Sequence, residues 1–358
     1  MKIGRMLPVS ETDDGVIFRY GEIREAVLQA ERDGLDSVWL ADHLLYRWGE
    51  DQPTRGTWEA WTLISALAEA TQRIEIGALV MCTAFRNPAL LAKMADAADE
   101  VSNGRLILGI GAGWHEPEFA AFGYPFDHLA GRFEDAVRII APLLRTGAVD
   151  YRGEYEQAVN CVSSPRGPRP GGPPILIGAF RPRMLRLTAE FADAWNTCWL
   201  GRAAELPEKV APLREACAAV GRDPASLQIT VGQMVTFPGM VSGIDDAERL
   251  KNISFADPAD LASEFAAFAA EGDSAIQAIY GPELDKLKAS GEAVPPELKA
   301  KIDKTRADYE SWLDAKHGAS RGHMDALIDP LDTRRVLSFA LEACAYSGHR
   351  GHVALETL

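Results

Sequence analysis

Strand-like and helix-like segments alternate along this chain from its first residues, and that alternation restricts the fold more than any other feature. Apolar runs at Lys2–Met6, Ser37–Ala41, Ile74–Val80, Leu106–Ile110, Pro174–Gly178, Ala194–Cys198 and Leu227–Val235 read as strands. Segments with helical periodicity lie between and after them: Tyr20–Arg32, Trp58–Ala70, Pro88–Val101, Gly131–Leu144, Pro182–Phe191, Leu206–Val220 and Pro258–Ala270. Pro88 opens its helix in the first turn, where a missing N–H costs nothing. Sustained βα alternation implies a parallel sheet. About eight such units in roughly 250–280 residues is the length of a (β/α)8 barrel. A doubly wound sheet is the runner-up, but residues 7–15 lack the glycine fingerprint that a dinucleotide-binding version carries after its first strand. The expected fold is α/β, a TIM barrel with an atypical helical C-terminal extension or insertion.

Two stretches interrupt the alternation. Residues 146–174 are rich in Gly, Pro and Arg, with a Tyr151–Tyr155 stretch suited to a small hairpin, an excursion rather than a domain boundary. Residues 281–317 are charged and helix-prone, and a further helix is expected from Thr333 to Tyr346. The eighth strand is either Ala275–Tyr280, with the tail appended, or His352–Leu355, with the tail inserted before it; the first is preferred. The division expected is a barrel over residues 1–272 and a tail over 273–358.

Composition excludes several classes. The 358 residues carry a net charge of −15, which disfavours nucleic acid and anionic membranes, since both need basic footprints. The five cysteines (Cys82, Cys161, Cys198, Cys217 and Cys344) are widely spread and form no CxxC pair. A disulfide framework or zinc site is therefore not expected, and a cytoplasmic location fits best. No apolar leader or run of ~18 apolar residues is present to enter a membrane. His128, His317 and His349 have no ligand spacing, so no metal site is expected. Arg19, Arg24 and Arg32 read as a solvated helix face.

The chemistry concentrates at strand ends. Residues 104–119 read GRLILGIGAGWHEPEF: a buried strand stops at Gly111-Ala112-Gly113, and Trp114, His115 and Glu116 follow at once. In α/β proteins sites form at the C-terminal ends of strands, and glycine permits positive φ and close approach to a ligand. Asp42-His43 directly follows the second strand, where an imidazole can donate to a carbonyl or act on a substrate proton. The plain alternative is an Asp capping a turn with a His packed on it. Cys82, at the third strand's end, has no neighbouring base and reads as a packing group. Trp48, Trp195 and Trp199 fit an apolar pocket or the core equally well.

Several segments resemble the bacterial luciferase-like flavin-dependent oxidoreductases, in the right order over residues 1 to about 272. They are Ser37-Val38-Trp39-Leu40-Ala41-Asp42-His43, the run Phe85 to Lys93, Glu100-Val101-Ser102-Asn103-Gly104-Arg105, Gly109 to Trp114, Arg132-Phe133-Glu134, and Pro173 to Gly178. The branch using the deazaflavin coenzyme is the most similar. The resemblance implies a TIM barrel binding coenzyme F420 (deazaflavin) or FMN at the C-terminal ends of its strands, and a small organic substrate. It implies His43, His115 and Asp42 as catalytic candidates. Cofactor contacts are implied for Asp42, Cys82, Thr83, Gly111, Ala112, Gly113, Trp114, Gly178, Ala179 and Arg181. At Met81-Cys82-Thr83 related barrels carry a bulge, sometimes with a non-prolyl cis peptide. Gly178-Ala179-Phe180-Arg181, before the helix at Pro182, suits a cofactor phosphate, because helix N-terminal amides bind anions; Arg183 clusters there too. Some deazaflavin dehydrogenases place a glutamate acid immediately after the Gly-x-Gly turn, where this chain has Trp114.

The tail segment Arg321 to Arg335 is similar to the C-terminal end of acyl-CoA carboxylase carboxyltransferase subunits. The crotonase-like core is missing, so no carboxyl transfer is expected and the tail reads as a structural or subunit-contact element, with a homodimer as the expected assembly. A non-catalytic binding or assembly protein built on the same barrel is the alternative function.

Overall fold

The computed structural model describes residues 2–12, 15–49, 52–200 and 202–235, a few positions between 255 and 299, and 353–357. From β1 (Ile3–Met6) the chain runs through α1 (Tyr20–Arg32) to β2 (Ser37–Leu40), then through two short antiparallel strands, β3 (Leu45–Tyr46) and β4 (Arg55–Gly56), into α2 (Ala60–Ala70). Next come β5 (Glu75–Ala78), β6 (Met81–Cys82), α3 (Pro88–Val101), β7 (Leu106–Gly111), α4 (Glu116–Phe122) and α5 (Leu129–Thr146). A hairpin of β8 (Ala148–Arg152) and β9 (Gln157–Val162) precedes β10 (Ile175–Gly178) and α6 (Pro182–Phe191). Then follow β11 (Ala194–Leu200), α7 (Leu206–Ala219), β12 (Gln228–Val235) and β13 (Val353–Thr357).

The strands β1, β2, β5, β7, β10, β11 and β12 pair in parallel, each with the next. β13 lies between β12 and β1, antiparallel to both, and closes the ring. This is the TIM-barrel architecture with one reversed strand. The eighth position overlaps the second of the two expected segments, His352–Leu355. The preferred one, Ala275–Tyr280, lies outside the described residues, as do Thr333–Tyr346 and most of 281–317. Of the expected helix Pro258–Ala270, the described positions 260–265 and 267 are helical.

The expected strand Ile74–Val80 is interrupted. β5 ends at Ala78, the Leu79–Val80 peptide is cis, and β6 resumes the pairing with β7 through Met81 and Cys82. The α2 helix starts two residues later than its apolar pattern suggests, because Glu59 caps it: its carboxylate accepts from Trp61 N (3.1 Å) and Thr62 N (2.7 Å). At α3, Asn87 Oδ1 accepts from Leu90 N (3.0 Å), and Pro88 occupies the first turn.

Inside the ring, Trp39, Ile107, Leu176 and Ala194 pack together. The Trp39 indole fits because two facing strands carry glycine. A Cβ on Gly4 would lie 2.6 Å from its Nε1, and one on Gly77 2.9 Å from its Cζ3. Outside the ring, the apolar faces of the helices join the outward faces of the strands in one continuous core, with Val27, Leu67, Ala95, Ile140 and Leu187 fully buried.

The end of the barrel where the parallel strands begin is tied by Arg105. Asn103 (φ 55°) and Gly104 (φ 83°) turn the chain after α3 and lead Arg105 into β7. Its guanidinium reaches back to α2, donating to Ala68 O (2.7 Å), Thr71 O (2.9 Å) and Thr71 Oγ1 (2.8 Å), and also to Ile74 O (2.7 Å). One side chain thus satisfies carbonyls that the helix end leaves open. Replacing it by Met removes these charge-assisted bonds and leaves buried acceptors unmet. Arg105→Met is expected to cost about 3 kcal/mol of unfolding free energy, measured by chemical denaturation, without altering ligand binding at the opposite end.

Candidate active site

Asp42 and His43 follow β2 at the end of the barrel where the parallel strands finish, yet their side chains do different things. Asp42 is buried and faces Arg86, with Nη1 to Oδ2 at 2.7 Å and Nη2 to Oδ1 at 3.0 Å. Its Oδ2 also accepts from Cys82 N at 2.9 Å. Arg86 extends the chain of charges to Glu59 (2.6 Å), the residue that caps α2. Burial opposes the charge on Arg86, but Asp42 and Glu59 outweigh it and hold its pKa above the ordinary value. The partners of Asp42 among the described residues are therefore structural: it joins β2, β6 and, through Arg86, the start of α2.

His43 meets Glu118 instead. Its Nδ1 lies 2.9 Å from Glu118 Oε1, while Oε2 of the same carboxylate accepts from Leu44 N at 2.7 Å. Glu118 is only 1% exposed and comes from α4, a helix that the sequence pattern does not announce. Gly113 lets the chain turn into it. With φ at 83°, a Cβ there would lie 2.6 Å from both Cys82 Sγ and the Phe119 ring. Phe119, fully buried, packs against Phe85 with tilted rings and against Phe126 edge-on, at 4.9 and 5.0 Å between centroids. This packing fixes α4 and so fixes Glu118.

His115 is equally committed. Its Nε2 accepts from Arg47 N at 3.0 Å, pinning the β3 segment over the strand ends. Burial lowers its pKa, with the neighbouring His43 acting in the same sense and Glu118 opposing. Beside the two histidines stands a shelf of aromatic rings. Tyr46 stacks on Trp48 (5.7 Å, 10° between planes), Trp48 lies 5.7 Å from Trp114, and His43 lies 5.5 Å edge-on to Trp114. Trp48 and Trp114 are 51% and 56% exposed, an unusual state for neighbouring indoles. Trp195 belongs to the core, its Nε1 donating to Ala179 O at 2.8 Å; the Trp199 side chain lies outside the described residues.

Small residues line the strand ends nearby. A Cβ on Gly111 would lie 2.6 Å from Val80 Cγ2, and one on Gly178 3.4 Å from Val80 Cγ1, so Val80 projects between two strands that end in glycine. Thr83 Oγ1 donates to Gly111 O at 3.2 Å. Cys82 Sγ approaches Ala112 O at 3.8 Å, and burial pushes its thiol up to about 12, which rules out a thiolate nucleophile at neutral pH. At α6, no side chain caps the first turn. Arg181 is exposed and makes no ion pair among the described residues, whereas Arg183 is engaged by Glu134 at 2.8 Å. The structure thus brings Asp42, His43, Cys82, Thr83, Gly111, Ala112, Gly113, Trp114 and His115 into one cluster, with Gly178 adjoining through Val80. Glu118, Arg86 and Tyr46 belong to it and were not among the expected site residues, although Arg86 lies in the run Phe85 to Lys93 that carries the resemblance. Among the described residues no group of His, Cys, Asp and Glu can hold a metal ion.

A model of the luciferase-like monooxygenase family matches residues 1–250. The pyrimidine monooxygenase RutA of Rhizobium rhizogenes is 33% identical over 246 residues, covering 66% of this chain and 64% of that protein. The chain thus spans just under two thirds of that relative's length. The F420-dependent glucose-6-phosphate dehydrogenase of Amycolatopsis mediterranei is 29% identical over 267 residues, 72% of this chain and 76% of that one. Among solved structures, an F420-dependent secondary alcohol dehydrogenase in complex with an F420-acetone adduct shares the fold. Its TM-score is 0.62 at 18% identity, over 75% of this chain and 90% of that one.

Because His115 is neutral in the fold and protonates more readily when the chain unfolds, the unfolded state binds more protons once pH drops below about 6.5. The stabilisation is complete above that pH and is lost as pH falls towards the lowered folded value. Thermal unfolding followed from neutral pH downwards is expected to show a steeper loss for the natural protein than for His115→Gln, which carries no titrating group there.

Proposed function

The chain belongs to the luciferase-like monooxygenase family, and from that premise we propose that it is an oxidoreductase that binds a flavin-type cofactor at the strand ends beside His43. The observation that carries this reading is the floor of Val80 flanked by Gly111 and Gly178 next to a carboxylate-held imidazole. A side chain at Gly111 would crowd Val80 and one at Gly178 would touch it, and a planar ring system needs such a flat, small-residue bed. When bound, the group supplies the redox chemistry: hydride transfer with the deazaflavin coenzyme F420, or oxygen insertion into an organic substrate with reduced FMN.

The chain's own residues bind, orient and handle protons. Asp42 acts through Arg86 and Cys82 N, holding the β6 end against the ring site. Gly111, Ala112, Gly113, Cys82 and Thr83 offer backbone and small side chains to the ring, and Trp114 its indole edge. The uncapped α6 N-terminus with Gly178, Ala179 and Arg181, which has no ion pair among the described residues, takes the phosphate. His43 exchanges the proton with substrate, and His115 keeps the β3 loop in place over it. Tyr46, Trp48 and Trp114 receive a small, largely apolar organic molecule. Hydride transfer through the deazaflavin is the reading we favour. A specific feature supports the FMN alternative: Trp114 stands where some deazaflavin dehydrogenases carry a glutamate acid. A cytoplasmic homodimer is proposed with this activity. The free thiols Cys82, Cys161 and Cys217 support a reducing compartment, and among the described residues no helix is long and apolar enough to cross a membrane.

Fluorescence titration of the full chain with coenzyme F420 and with oxidised and reduced FMN tests this reading. One cofactor per chain is the expected stoichiometry. Arg181→Ala is expected to weaken binding of the phosphate-bearing cofactor about tenfold, or about 1.4 kcal/mol, while leaving phosphate-free riboflavin or deazariboflavin unaffected. Absence of binding by every form at tens of micromolar would overturn the proposal and leave an assembly role for the barrel.

A further inference from the structure

The Glu118 carboxylate has two oxygens and two assigned partners, and this fixes more than a position. Oε2 accepts the Leu44 N–H, which can only donate. Oε1 faces His43 Nδ1 at 2.9 Å, and an ionised carboxylate only accepts, so Nδ1 must carry the proton. In the neutral ring that leaves Nε2 with a lone pair. Among the described residues Nε2 has no hydrogen-bond partner, and the ring's edge stands among Tyr46 and Trp114 at the mouth of the cluster. The geometry points to Glu118 as a positioning residue. It holds His43 in the Nδ1–H tautomer, so that Nε2 acts as the proton acceptor of the site.

This inference rests on the reading of His43 as the proton-handling group and narrows it. An Nδ1–H imidazole cannot donate from Nε2 to a ring carbonyl while neutral. It can take a proton from a substrate O–H or N–H: the N–H bond forms at Nε2, the O–H or N–H bond of the substrate breaks, and its electron pair stays on the substrate heteroatom. The Glu118 charge, already in contact with Nδ1, then compensates the imidazolium without rearrangement. The rigidity of α4, set by Phe119 against Phe85 and Phe126, keeps the carboxylate from following the ring in another direction.

Glu118→Gln makes the inference sharp, because the amide cannot choose its orientation freely. Its oxygen must stay on the Leu44 N–H, since the NH2 group there would oppose donor to donor. The NH2 group therefore donates to His43 Nδ1, and the ring proton moves to Nε2. The measurement is 15N-histidine NMR of the full chain, without cofactor, at mildly alkaline pH, with His43 assigned by loss of its signals in His43→Gln. In the natural protein Nδ1 is expected as the protonated nitrogen of His43 and Nε2 as the bare one. In Glu118→Gln the two exchange character, while His115, locked by Arg47 N, keeps its own Nδ1–H pattern as an internal control. A proton on Nε2 in the natural protein overturns the inference even if the variant does not fold. An unchanged His43 pattern in a folded Glu118→Gln overturns it as well. Neither result depends on cofactor binding, so failure of the tautomer and failure of the proposed activity are separate outcomes.

Discussion

The buried Asp42 carboxylate is the contact on which the cluster at the strand ends depends. It accepts from the backbone of β6, forms two hydrogen bonds with Arg86, and through Arg86 reaches the carboxylate that caps α2. Charges taken out of water are costly unless paired: burial pushes the Asp42 pKa up, and the fork of Arg86 and the Cys82 N–H oppose that push. Removing either partner would strand a charge beside the third strand's end. The adjacent His43 inherits its place from this anchor, since one peptide separates an immobile residue from a reactive one.

Two histidines stand 6.3 Å apart between ring centroids and are held by opposite means. His115 accepts a backbone N–H through Nε2, while His43 presents Nδ1 to a carboxylate. The first arrangement uses the outer nitrogen for structure and holds the ring neutral. The second uses the inner nitrogen for structure and leaves the outer one for chemistry. Sequence placed the pair in one site but could not divide these roles, because the division depends on α4 and on the loop carrying Arg47. The same holds for Glu118, which sits third in a seven-residue helix and looks like surface charge until the fold brings it against Leu44.

Much of the barrel was legible because its signals are local and repeated. The bounds of α1, α3 and α6 coincide with the apolar periodicity, since Pro88 and Pro182 mark first turns and glycine follows α1 at Gly34. The break after Ala78 was not legible in the hydropathy pattern, because Leu79, Val80 and Met81 continue the apolar run; only the resemblance pointed to an irregularity close by, at Met81-Cys82-Thr83. Arg105 belongs to a recognisable motif, but its partners at the end of α2 and just after it are separated from it by more than thirty residues. Tyr46 gave no signal, since a two-residue strand carries no periodicity, and Trp48 could not be told from a core tryptophan.

The reversed eighth strand has a topological consequence for the site. In a wholly parallel barrel the chain must return to the opposite end before each new strand. Here Val235, at the finishing end of β12, pairs with Val353, the first residue of β13. The chain therefore leaves the ring and re-enters it at the same end, the one that carries Asp42, His43 and Gly111. Among the described residues of that connection, Phe255, Leu261 and Phe265 pack with Leu200, Val231 and Val235, and Glu264 accepts from Ala203 N just beyond β11. The strand that closes the ring therefore enters it on the side of the barrel that carries the candidate site.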